Sequence, residues 1–118
     1  MGRVLGNIDL AAIPIGSYEP RWHMHLQHTD PEGAVNMAKF MNVKKSVGVH
    51  WGTWIMSDEL CKCLPSCFSV AFEPRPGGLL RLLIDNQPPK DLALAREKLD
   101  VSEEMFSVEP VGRTIVID

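Results

Sequence analysis

Apolar and polar positions divide the 118-residue chain into two patterned stretches separated by one without a period. Ile8-Asp9-Leu10-Ala11-Ala12-Ile13-Pro14-Ile15-Gly16 predicts a strand whose second half is apolar on both faces. Pro14 has no N–H to give a ladder, so the strand ends there or lies at an edge. A buried strand this near the first residue implies pairing partners upstream. Asp30-Pro31-Glu32 predicts a helix start: Asp30 as N-cap, Pro31 in the first turn, Glu32 complementing the dipole. Ala34, Met37, Ala38 and Met41 follow at i, i+3, i+4, i+7 as one core-facing stripe, which Asn42 ends. Val47 and Val49, with Gly48 between them and two lysines just upstream, then read as a short buried strand carried by the valines. Strand, loop, helix and strand in this order form a βαβ-like unit, and the fold class is α/β.

From Leu60 to Gln87 no amphipathic period is visible, and Pro74-Arg75-Pro76-Gly77-Gly78 is a strong breaker. Pattern returns in the helix from Pro88, where Leu92, Ala95 and Leu99 share a face and Arg96 and Lys98 sit in the last turns. Ser102 suits the cap of a short turn through Glu103 and Glu104. Phe106 to Val108 and Arg113 to Ile117 read as two short strands around Pro110-Val111-Gly112.

This length accommodates one domain or part of one, and 45% hydrophobic residues exclude disorder as the main state. A net charge of −3 with no dense basic stripe excludes nucleic acid as a partner. No apolar run is long enough to span a bilayer, and the first six residues lack a secretory core. Cys61, Cys63 and Cys67 are odd in number and clustered, which fits a reducing compartment better than a disulfide framework.

Candidate chemistry gathers at two places. His50 leaves the end of a strand and enters the turn Trp51-Gly52-Thr53-Trp54. That position suits a metal ligand, a proton-transfer group, or an imidazole that only hydrogen-bonds its own turn. Gly16 to Thr29 reads as a loop crowded with Tyr18, Glu19, Arg21, Trp22, His23, His25, Gln27 and His28. His23 and His25 share a face in an extended segment but His28 does not, so these three are not read as a self-contained metal site. In the βαβ arrangement His28, leading into the helix, approaches His50 at one edge of the sheet.

The ordered motifs Asp9-Leu10-Ala11-Ala12-Ile13-Pro14-Ile15-Gly16, Tyr18-Glu19-Pro20-Arg21-Trp22, Gln27-His28, Asp30-Pro31-Glu32, Ala34, Lys44-Lys45-Ser46 and His50-Trp51-Gly52-Thr53 carry a specific resemblance. The chain resembles the C-terminal part of the N-acyl-phosphatidylethanolamine-hydrolysing phospholipases D, zinc phosphodiesterases of the metallo-β-lactamase fold. The likeness runs from Asp9 to Glu59 and resumes more loosely from Pro88. It implies the C-terminal part of a four-layer αββα fold, truncated on its N-terminal side. It also implies a two-zinc site acting on an N-acyl phospholipid at a membrane surface, releasing an N-acylethanolamine and phosphatidic acid. By the resemblance His50 is a zinc ligand, His28 lies near the substrate's phosphate and head group, and Ile55 falls at a contact for bile-acid effectors. His23 and His25 depart from the family pattern, and Trp54 replaces one aromatic by another.

The family's upstream His-x-His-x-Asp-His motif is absent. In His23-Met24-His25-Leu26-Gln27-His28, Gln27 stands where the aspartate belongs, and this loop corresponds to the substrate side. One histidine cannot hold a catalytic zinc, which takes about three protein ligands plus water. Residues 1–118 are therefore expected to form a partial metallo-β-lactamase-like domain, with 60–87 an atypical insert, translated from sequence normally spliced out. The chain alone is expected to be inactive. Against the phospholipase fragment stand a non-catalytic remnant or alternative chain that pairs with a full-length relative through an orphaned sheet edge, and a zinc module on Cys61, Cys63 and Cys67; a homodimer is a further expected partner. The expected location is intracellular, in the cytoplasm or peripherally on a membrane.

Overall fold

A computed structural model describes residue 6, residues 8–52, residue 57, residues 87–110 and residues 112–116. Six elements follow in order: β1 (Ile8–Pro14), α1 (Arg21–Met24), α2 (Pro31–Met41), β2 (Val43–Val49), α3 (Gln87–Lys98) and β3 (Phe106–Ser107). The strands form one parallel sheet in the order β1-β2-β3. Two βαβ units therefore share β2, the arrangement expected when each crossover carries a helix back to the next strand's start. β1 is an edge of this sheet and ends at Pro14. One further ladder bond, Ile15 N–H to the Val49 carbonyl at 3.0 Å, carries the pairing one residue beyond.

Helix α2 begins as expected. Asp30 is extended at φ −84° and its carboxylate accepts from Gly33 N–H at 2.9 Å, satisfying one of the orphan donors of the first turn. Asn42 stops the helix at φ 54°, a left-handed conformation that asparagine tolerates. The buried stripe is rotated from the expected one. Ala34, Val35 and Ala38 are buried and Met41 is half-buried, whereas Met37 is 43% exposed. The reason is the second helix: α3 packs against α2 and draws Val35 inward, with Leu92 and Ala95 facing it as expected.

Ile13, Ile15, Ala34, Val35, Ala38, Leu92, Ala95 and Phe106 form the core, with Leu99 packed on its margin. In β2 the buried positions are Val43, Ser46 and Gly48, while Val47 is half-buried and Val49 is 37% exposed. This corrects the reading in which the valines carried the burial. Gly48 lies under Ile15 and Val108, and a Cβ there would stand 2.8 Å from Ile15 Cδ1. After α3, Ser102 Oγ accepts from Met105 N–H at 3.2 Å, capping the expected turn. Only Phe106–Ser107 pairs as a strand. Residues 113–116 form none: Arg113 N–H bonds the Pro110 carbonyl at 3.1 Å in a turn rather than pairing with β3.

Candidate functional site at the ends of β1 and β2

Parallel strands release their following loops at one end of the sheet, where the crevice between diverging connections commonly receives a ligand. Here the loop after β1 carries Gly16 to Thr29, and the turn after β2 carries His50, Trp51 and Gly52. Close approach of the two backbones depends on Gly16. A Cβ at that position would lie 2.0 Å from the His50 carbonyl oxygen and 3.1 Å from its carbon, so only glycine permits the contact. His50 itself is left-handed at φ 63°, Gly52 follows at φ 72°, and the Trp51 indole donates to the Gly48 carbonyl at 3.1 Å. The result is an exposed imidazole on a turn whose backbone is held on both sides.

The loop after β1 is not wholly irregular. Arg21–Met24 forms one helical turn, a correction to the reading of Gly16 to Thr29 as loop alone. The turn continues past its end: His25 N–H reaches Arg21 O and His28 N–H reaches Met24 O at 2.9 Å. Tyr18 is buried and its hydroxyl donates to the Asp91 carboxylate, tying the loop to α3. Glu19, also buried, accepts from Arg21 N–H at 3.0 Å.

These restraints bring His28 to His50. Their ring centroids are 5.2 Å apart with planes tilted by 44°. The convergence expected from the βαβ arrangement is thus present. His23 and His25 do not join it: the His23 ring lies against Trp22, and His25 Nδ1 faces the Arg21 carbonyl at 3.0 Å. Ile55, Cys61, Cys63 and Cys67 lie outside the described residues, as does nearly all of the 60–87 segment. A 330 Å³ cleft is lined by Trp51, Leu92, Arg96 and Val108 among others, and includes neither imidazole.

Two residues with no role read from the sequence prove central to this geometry. Gly16 admits the His50 turn, and Arg21 donates through Nη1 to the His28 carbonyl at 2.9 Å. Neither is marked by spacing or periodicity, since each acts on a residue brought close only by the fold. Among the described residues no three His, Cys, Asp or Glu side chains cluster to hold a metal ion. Two imidazoles fall short of a zinc's usual complement of about three protein ligands, so the described residues do not by themselves fit a catalytic zinc.

Residues 1–51, which include both imidazoles and the whole βαβ unit, match the family described as the beta-lactamase superfamily domain. A stretch of 56 residues is 52% identical to N-acyl-phosphatidylethanolamine-hydrolyzing phospholipase D 1 of Caenorhabditis elegans, covering 48% of this chain and 16% of that protein. Over this stretch the chain is similar to that phospholipase D. A stretch of 50 residues is 38% identical to the mitochondrial N-acyl-phosphatidylethanolamine-hydrolyzing phospholipase D of Saccharomyces cerevisiae, covering 42% of this chain and 11% of that protein. The matches therefore span less than a fifth of either relative's length.

Proposed function

We propose that this chain is the C-terminal part of a zinc-dependent phosphodiesterase that converts N-acyl-phosphatidylethanolamine to an N-acylethanolamine and phosphatidic acid. The observation that carries the reading is the His28–His50 pair at the open end of the sheet, within a segment similar to phospholipases of that substrate. His50 supplies one metal ligand, and the other ligands of the two zinc ions come from outside the described residues. His28 donates a ring N–H to a phosphate oxygen of the substrate, holding the head group against the strand ends. Ile55 remains the candidate effector contact.

The bare face of the sheet supports a four-layer αββα arrangement. α2 packs on one face and α3 packs in turn against α2, while Leu10, Ala12, Pro14 and Val49 are exposed on the other face. A second sheet from further chain would bury them. Residues 60–87 are an insert in a single partial domain, a reading supported by α3 and β3 completing the core and sheet begun before it. A membrane surface as the place of action is supported by Trp22 and Leu26, 79% and 83% exposed on the loop that carries His28. No described helix is long and apolar enough to cross a membrane.

The test is a chimera in which residues 8–52 of this chain replace the matching segment of the nematode relative. The chimera is expected to hydrolyse N-acyl-phosphatidylethanolamine. His50→Ala removes activity together with bound zinc, and His28→Ala lowers kcat by about 10²–10⁴-fold. A folded chimera that keeps its rate and its metal after His50→Ala overturns the assignment. The same exposed sheet face favours a second reading, a non-catalytic chain that pairs with a copy of itself or with a full-length relative. A free chain that binds no zinc and sediments as a dimer supports that reading.

A further inference from the structure

We propose that Arg21 is the positioning residue of this site, the group that holds His28 at its distance from His50. The inference rests on the reading of His28 and His50 as site residues, and it concerns how that pair is built. His28 belongs to no regular element, yet both of its backbone polar groups are bonded. Its N–H reaches the Met24 carbonyl at 2.9 Å and its carbonyl accepts from Arg21 Nη1 at 2.9 Å. The same guanidinium places Nε 3.4 Å from Asp30 Oδ2, while the other oxygen of Asp30 caps α2 through Gly33 N–H. Arg21 is fixed in turn at its backbone N–H by Glu19.

One planar cation thus joins three things: the start of α1, the histidine two residues before the helix cap, and the cap itself. Arginine suits the position for a physical reason. Its donors lie in a rigid fork at fixed angles, so satisfying a carbonyl with one nitrogen and a carboxylate with another fixes the relative placement of both. A lysine ammonium is a single point charge on a flexible stem and holds one partner without orienting the second. The His28 backbone is thus held on the α2 side and the His50 turn on the strand side by the Trp51–Gly48 and Ile15–Val49 bonds, which sets the distance between the two backbones that carry the rings. Arg21 touches neither ring and acts only through the His28 main chain.

The readout is ring-to-ring cross-relaxation between His28 and His50 in the 118-residue chain by NMR, with the methyl signals of Ile13 and Leu92 as the record of the core. Arg21→Gln is expected to abolish the ring cross-peak and leave the methyl shifts in place. Arg21→Lys, which keeps the charge, is expected to retain part of it. Asp30→Asn keeps an acceptor for the cap but removes the charge facing Nε, and is expected to weaken the cross-peak. An undiminished cross-peak in Arg21→Gln overturns the proposal, as does an unchanged one in Asp30→Asn. Loss of the methyl dispersion along with the cross-peak also overturns it, because Arg21 would then support the whole fold rather than this pair. None of these readouts depends on turnover, so the proposal and the phospholipase reading fail separately: the chimera tests one, ring contact the other.

Discussion

On one face of the sheet, the side on which α2 packs, Ile13, Ser46 and Gly48 are buried. On the other, Leu10, Ala12, Pro14 and Val49 are exposed, Leu10 at 42%, although Val43 in the same alternating set is buried at the start of β2. The two sets alternate along the same strands, as the two-residue period of a pleated strand requires. What separates them is the presence of a covering layer. The helix-covered face carries most of the described core, and the other face presents several exposed apolar residues. The His28–His50 pair lies at the end of the sheet, where the loop after β1 meets the turn after β2.

That contrast can be broken most forcefully at Phe106, the fully buried side chain of β3. Phe106→Ala is expected to cost about 3–5 kcal/mol, a large share of a domain's whole margin, and to lower the urea midpoint accordingly. Gly16→Ala comes next. Its methyl group has no room against the His50 carbonyl, so the turn must move, at a cost of about 1–3 kcal/mol. Loss of the His28–His50 ring cross-peak by NMR is its particular signature. Asp30→Ala removes the α2 cap and is expected to cost about 1 kcal/mol in thermal or urea unfolding, with Asp30→Asn near zero. The smallest effect is on the bare face. Leu10→Thr with Val49→Thr should change stability by no more than about 0.5 kcal/mol. The pair should nevertheless reduce self-association in sedimentation, since it removes exposed apolar area.

Much of this organisation is legible before folding. Asp30-Pro31-Glu32 and Asn42 mark the ends of α2 by local chemistry alone, and those marks hold. The meeting of His28 and His50 follows from topology, because two parallel strands with one crossover helix must release their loops at the same end. Legibility fails wherever a residue's surroundings come from distant chain. Val35 replaces Met37 in the core because α3 packs from that side, and nothing in α2 announces where α3 will lie. The helical turn Arg21–Met24 lacks any apolar period, being too short for one. Arg21 and Gly16 escape notice for the same reason: their partners are a carbonyl seven residues away and another thirty-four away, atoms that carry no sequence signal.

The Tyr18 hydroxyl on Asp91 and the Lys98 ammonium, 2.8 and 2.9 Å from the two oxygens of Glu32, act as rivets between the early and late parts of the chain. They fasten α3 directly to the β1–α2 side, across 73 and 66 positions of sequence. Chain-closure entropy changes by only about 0.6 kcal/mol for each doubling of such a connection. Changing the length of the chain between these fastened parts therefore alters the closure cost of their union only slightly.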